Sequence, residues 1–170
     1  MVGGLRRPGR PGLTVPVEQV DPHDVDVRAL LARHLELMHA QSPPEDVHAL
    51  DADGLADRDV TLFGLRRDGQ LLGLAGLGQL DGGHGEVKSM HTAEQARGQG
   101  VARVLLEHVL AVARSRGYRR LSLETGSQPG FAPARALYAS VGFAPCGPFG
   151  TYVASPSSTF LALELPAPAG

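Results

Sequence analysis

The chain has one cysteine, Cys146, and one lysine, Lys88, among 170 residues. A lone cysteine cannot close an internal disulfide, so the expected compartment is a reducing one, the cytoplasm. No stretch approaches the roughly 18 apolar residues that a membrane span requires. The segment Met1–Leu13 contains Arg and Gly but no apolar run of the kind that marks a secretory signal. Excess positive charge is also missing, because 16 Lys and Arg against 18 Asp and Glu give a formal net charge of -2. The expectation is therefore no nucleic-acid partner and no membrane partner. Hydrophobic residues make up 42% and charged residues 20%, which is the composition of a globular chain. The length suits one domain able to bury a core unaided. The expected organisation is a flexible tail over residues 1–12 and a single domain over 13–166.

Glycine is plentiful, with 22 in all and ten between Gly64 and Gly100. The other 15 basic residues are Arg, a bias that fits a GC-rich coding sequence better than a function. Hydrophobic spacing predicts the elements. Residues 13–20 read as a first strand, with Asp21 or Asp24 as helix cap. Val27, Leu30, Leu31, His34, Leu35 and Met38 then recur at the spacing of an amphipathic helix. Gln41-Ser-Pro-Pro44 breaks that helix, and residues 45–55 could hold a shorter one. Three strands follow at 59–66, 70–80 and 85–92, joined by Asp68-Gly69 and Asp81-Gly82-Gly83 turns. A second strong helix is predicted over 98–117, closed by Gly117. After it come a strand at 119–125, a short helix around Ala134–Val141, and strands at 143–146 and 159–165. The class is mixed α/β, an antiparallel meander followed by a strand-helix-strand crossover, with helices on both faces.

The densest chemical signal is the turn from Met90 to Ala102. It leads a strand into the start of the long helix, where backbone N–H groups lack partners and the helix dipole favours an anion. Gly98 and Gly100 would let a phosphate approach the backbone, and Arg97 could add a charged contact. A plain turn whose glycines relieve strain is the alternative. No G-x-x-x-x-G-K-[ST] string is present, so a P-loop is excluded. A dinucleotide fingerprint fits only halfway, since Arg103 stands at its third glycine position.

Arg97-x-x-Gly100-x-Ala102 resembles the R-x-x-G-x-A/G signature of the GNAT superfamily of N-acetyltransferases. Ala134-x-x-Leu137-Tyr138-x-x-x-Gly142-Phe143 resembles a second segment of the same family. His48-Ala-Leu-Asp51 and Glu124-Thr-Gly-Ser-Gln128 are similar to its YsnE-type bacterial branch. The resemblance implies an acetyl-CoA-dependent N-acetyltransferase that transfers acetyl directly to an amine. A non-catalytic acyl-CoA-binding module on the same fold is the alternative. It implies that Arg97, Gly98, Gln99, Gly100, Val101 and Ala102 hold the CoA pyrophosphate. Met90, His91 and Thr92 would offer strand backbone to the pantetheine arm. Glu86 would be the general base, with Glu124 across a slot between splayed strands as its competitor. Tyr138 would protonate the departing thiolate. Phe131 stands where many members carry a CoA-contacting Asn, so it would pack on the pantetheine or line the acceptor pocket.

No metal is expected, because the seven histidines include no ligand spacing. His91 could face the acceptor, and Ser42, Glu45 and His48 are weaker acceptor-site candidates. The acceptor itself would be a small-molecule or peptide amine. An exposed last strand would offer an edge for a homodimer.

Overall fold

A computed structural model describes residues 15–167. The expected tail over residues 1–12 lies outside them. In chain order the elements are β1 (Val17–Gln19), α1 (Val25–Gln41), α2 (Ala52–Asp57), β2 (Thr61–Arg67), β3 (Gln70–Asp81) and β4 (His84–Thr92). There follow α3 (Val101–Ser115), β5 (Arg120–Gly126), α4 (Ala132–Ser140), β6 (Ala144–Pro145) and β7 (Ser158–Glu164). The seven strands form one sheet in the order β1-β2-β3-β4-β5-β7-β6. The β2-β3-β4 meander is antiparallel, as the turn residues predict. Asp68 and Gly69 both adopt positive φ (52° and 79°), the conformation of a tight hairpin turn. The crossover through α3 makes β4 and β5 parallel.

Alternation along the strands sends side chains to two cores. Leu62, Leu71 and Leu74 pack with Val27 and Leu31 of α1 and Leu55 of α2 on one face. Phe63, Leu72, Ala75, Leu77 and Val87 pack with Leu105, Leu106 and Val109 of α3 on the other. Gly73 sets how closely α3 lies on the sheet. A Cβ there would stand 2.8 Å from Val101 Cγ1 and 2.9 Å from Leu105 Cδ1. This accounts for a glycine in mid-strand, where conformational entropy otherwise disfavours one. Gly85 does the same beneath the Tyr118 ring. Among the described residues no helix is long and apolar enough to cross a membrane.

Three expectations need correction. The second helix starts later than residue 45 and is only six residues long. Pro43 and Pro44 hold the chain in a single 3-10 turn at Pro44–Asp46, and Asp51 caps α2 by accepting from Gly54 N–H at 2.8 Å. The first strand is confined to Val17–Gln19 within the described residues, after Pro16. The last strand is not the edge. β7 lies between β5 and β6, so β1 and the two-residue β6 bound the sheet. The sequence edge and the spatial edge differ because β6 folds back outside β7.

Candidate active site

β4 and β5 pair at only three positions, His84–Glu86 against Arg120–Ser122. Beyond Glu86 they diverge. β4 carries one extra residue there, since Gly76 faces Lys88 while Leu74 faces His91. The extra residue forms a bulge at Ser89, which has φ +54°. Bulges bend a strand and increase its local twist. The divergence opens a cavity of about 680 Å³. It extends from the start of α3 to the far side of β5, and α1 and the loop after it contribute to its wall.

Toward α3, the wall is made by Arg97, Gly98, Gly100, Val101 and Ala102. Gly100 is the N-cap residue, left-handed at φ +82°, and Gly98 has φ +74°. Nothing lies within 4 Å of where a Cβ would stand on either. The first helical bond runs from Val104 N–H to Gly100 O at 3.2 Å, leaving the preceding N–H groups without helical partners. No acidic residue occupies the first turn. This is an electropositive cradle open to an anion. Gln99, between the two glycines, turns its side chain away from the cavity. Its side chain accepts from Arg67 at 2.9 Å and donates to Gln95 O at 3.1 Å, and it is not part of the cavity wall.

A valine at Gly100 would be forced into a left-handed backbone and would push its branches into the cradle. Gly100→Val is expected to cost about 1–2 kcal/mol of stability. It should also weaken acetyl-CoA binding roughly tenfold or more, a loss of about 1.4 kcal/mol. Calorimetric titration and chemical denaturation read the two effects separately. Unchanged affinity would remove Gly100 from the cradle.

Met90, His91 and Thr92 also line the cavity and are half-buried. His91 packs against α1. Its Nδ1 lies 3.3 Å from Nδ1 of His34, which is itself buried on α1. Burial pushes both imidazoles down, each to about 4, with His91 adding to the effect on His34 and Arg97 to that on His91. Both rings are therefore neutral at neutral pH, and one Nδ1 donates to the other. The folded pKa values lie below the ordinary 6.5, so the unfolded chain takes up protons first as pH falls. This contribution to stability is complete above pH 6.5 and disappears as pH falls through 4. Thermal unfolding followed from pH 7.5 to 4.5 should show a falling midpoint, and His34→Leu should flatten the slope. A parallel slope in the variant would count against the pair.

The other group of lining residues is built around β4 and β5. Glu86 and Lys88, two residues apart on β4, point the same way and form a buried pair. Their side chains are 10% and 9% exposed, and Lys88 Nζ lies 3.1 Å from Glu86 Oε1. Tyr152 completes the cluster, accepting from Lys88 at 2.8 Å and donating to Glu86. Burial and the Glu86 charge hold the Tyr152 phenol well above its usual range. The His48 ring packs edge-on against Tyr152 at 5.0 Å.

Glu124 stands on β5, half-buried, and burial raises its carboxyl above the usual carboxylate range. The Lys88 charge opposes that rise, while Glu86 and Asp46 reinforce it. Tyr138 is 6% exposed, and its phenol is pushed upward by burial and by Glu124. Its hydroxyl bonds to no protein group among the described residues, although the residue lines the cavity. Phe131 lines the cavity too. It sits over Gly126, where a Cβ would come within 2.2 Å of its ring. Arg135 ties α4 to the end of β5 by donating to Gly126 O (2.7 Å) and Gln128 O (3.0 Å). Of the weaker candidates, Ser42 and His48 reach the wall and Glu45 does not.

Tyr152 was not foreseen. It lies in the Gly/Pro/Ser-rich stretch between β6 and β7, which has no periodicity to read. The two aromatics in that loop, Phe149 and Tyr152, are its only sign in the sequence. Three carboxylates, Asp46, Glu86 and Glu124, share this part of the cavity with one ammonium. Such a balance attracts a cationic ligand.

Comparison with known proteins places these features in context. The Acetyltransferase (GNAT) family matches residues 26–143. The chain is 48% identical over 139 residues to the uncharacterized N-acetyltransferase YedL of Escherichia coli (strain K12), covering 82% of this chain and 87% of that one. It is 43% identical over 139 residues to the uncharacterized N-acetyltransferase YsnE of Bacillus subtilis (strain 168), covering 82% and 92%. Among solved structures, yncA from Salmonella typhimurium with its cofactor acetyl-CoA superposes with a TM-score of 0.67. It is 20% identical, with 92% of this chain and 96% of that one covered.

Proposed function

Since the chain belongs to the GNAT acetyltransferase family, we propose that it moves acetyl from acetyl-CoA to a primary amine by direct transfer, with both substrates bound at once. The family uses acetyl-CoA, and the residues present fit it. The N-terminal turn of α3, open at Gly98 and Gly100, suits a pyrophosphate. The diverging β4 backbone at Met90–Thr92 suits an extended pantetheine arm. The bound acetyl-CoA supplies the activated acyl group. The acceptor is a small-molecule or peptide amine, drawn as its cation toward Asp46, Glu86 and Glu124.

The single observation that carries this reading is the shared cavity. It joins an anion cradle to an acidic slot holding three carboxylates and a tyrosine whose hydroxyl has no protein partner among the described residues. Transfer requires an amine that has lost a proton and a thiolate that gains one. The sequence alone favours Glu86 as base, but its carboxylate already accepts from Lys88 and Tyr152. Glu124 has a raised pKa and no ion-pair partner among the described residues. We therefore assign the acceptor's proton to Glu124 and leave Glu86 to hold Lys88. Tyr138 donates to the thiolate.

A thiol-release screen with acetyl-CoA against a broad amine library tests the proposal. Release that depends on particular amines supports it. Binding without release for any amine would leave a non-catalytic acyl-CoA-binding module. No binding at millimolar acetyl-CoA would refute both.

A further inference from the structure

We propose that Lys88 is itself an acetyl acceptor: when no outside amine is present, the enzyme acetylates its own Lys88 Nζ. The proposal rests on the acetyl-transfer reading above. Every other basic residue apart from the histidines is Arg, so position 88 holds the only side-chain primary amine in the chain. That amine lies in the cavity wall with Glu124 and Tyr138, the groups assigned to proton transfer. It is 9% exposed, so it is reached through the cavity rather than from bulk solvent. An arginine could not act in this way, because its guanidinium stays protonated, whereas a lysine amine is a nucleophile once a base has taken its proton. Glu86 Oε1, 3.1 Å from Nζ, is placed to take that proton.

The step balances. The Lys88 ammonium passes one proton to Glu86, and the freed amine attacks the thioester carbonyl carbon. The new N–C bond forms, the C–S bond breaks, and coenzyme A leaves as its thiolate. Tyr138 supplies a proton to the thiolate, the second nitrogen proton leaves the adduct to restore Tyr138, and Glu86 passes the first to water. The products are an amide at Lys88, free coenzyme A and one proton released to water. The acetylated side chain carries no charge and fills the space an acceptor amine needs.

The test uses the full chain with acetyl-CoA and no amine, followed by intact mass and peptide mapping. The expected result is a gain of about 42 Da located at Lys88, with one thiol released per acetyl group. Labelling should be at least about tenfold faster in the folded chain than in the same chain in urea, as positioning within a cavity requires. Glu86→Gln should slow it, Lys88→Arg should abolish it, and an amine found by the screen should compete with it. Lys88 left bare, or labelled no faster than in urea, overturns the proposal. Calorimetry on the same sample separates the failures. Acetyl-CoA bound with Lys88 bare removes this inference alone, whereas no binding removes the acetyl-transfer reading with it. The folded-against-urea comparison uses the unaltered chain, so it holds even where a variant misfolds.

Discussion

Glu124→Gln is expected to lower turnover by roughly 10²–10⁴-fold while leaving acetyl-CoA affinity nearly unchanged. The amide keeps the size and much of the hydrogen bonding of the carboxyl but cannot take a proton. Burial raises the Glu124 pKa toward neutrality, which increases both its basicity and its sensitivity to pH. The turnover profile of the unaltered enzyme should therefore fall on its acid limb at a pH above that of an ordinary glutamate. The acid limb should vanish in the variant. Glu86→Gln makes the contrast. It leaves the Lys88 ammonium in a buried site with only Tyr152 as partner, so its first effect should be on stability, of about 3–5 kcal/mol. If Glu86→Gln abolished turnover in a folded protein and Glu124→Gln did not, the roles would be reversed.

Tyr138→Phe is expected to lower turnover by roughly 10²-fold or more with little change in acetyl-CoA binding. The ring keeps its packing against Phe143, whose centroid lies 5.8 Å away. Because the hydroxyl has no protein partner among the described residues, removing it leaves no buried group unsatisfied. Stability should therefore shift by less than about 1 kcal/mol. A phenol held above its usual range keeps its proton at neutral pH, so it is present to hydrogen-bond the departing sulfur and protonate it as the C–S bond breaks. Poorer thiol leaving groups should suffer more from the loss than better ones. A rate unaffected by the substitution would make Tyr138 a core residue only.

The cradle at the start of α3 was legible because its requirements are local. An anion site at a helix end needs glycines and free amides within a few residues, and Gly98 and Gly100 stand in one short string. The two long helices and the meander were legible for the same reason, since periodicity and turn residues are properties of neighbours. The slot was harder to read. Glu86 and Lys88 stand two apart on one strand, but the cluster they form is completed by Tyr152, 64 residues beyond Lys88 in sequence. The contact of His91 with His34 of α1, 57 residues away, has no local signal in the sequence. The place of β7 inside the sheet was hidden too, because it depends on which way a two-residue strand folds back. The roles of Gly73 and Gly85 depend on helix α3 and the Tyr118 ring above them, which no neighbouring residue announces.

The bulge in β4 separates two things that a strand ordinarily ties together. Before it, Glu86 and Lys88 face the slot while Val87 joins the core beneath α3. After it, His91 meets α1 while Met90 packs on the α3 side. The side-chain phase therefore slips by one at Ser89. Removing Ser89 alone would bring the two phases back together, and each neighbouring side chain would keep its present face. Only the path of the strand would change, straightening toward β5 where it now turns away. A one-residue deletion is thus a cleaner instrument here than any substitution: the chemistry stays in place and the opening it works in is closed.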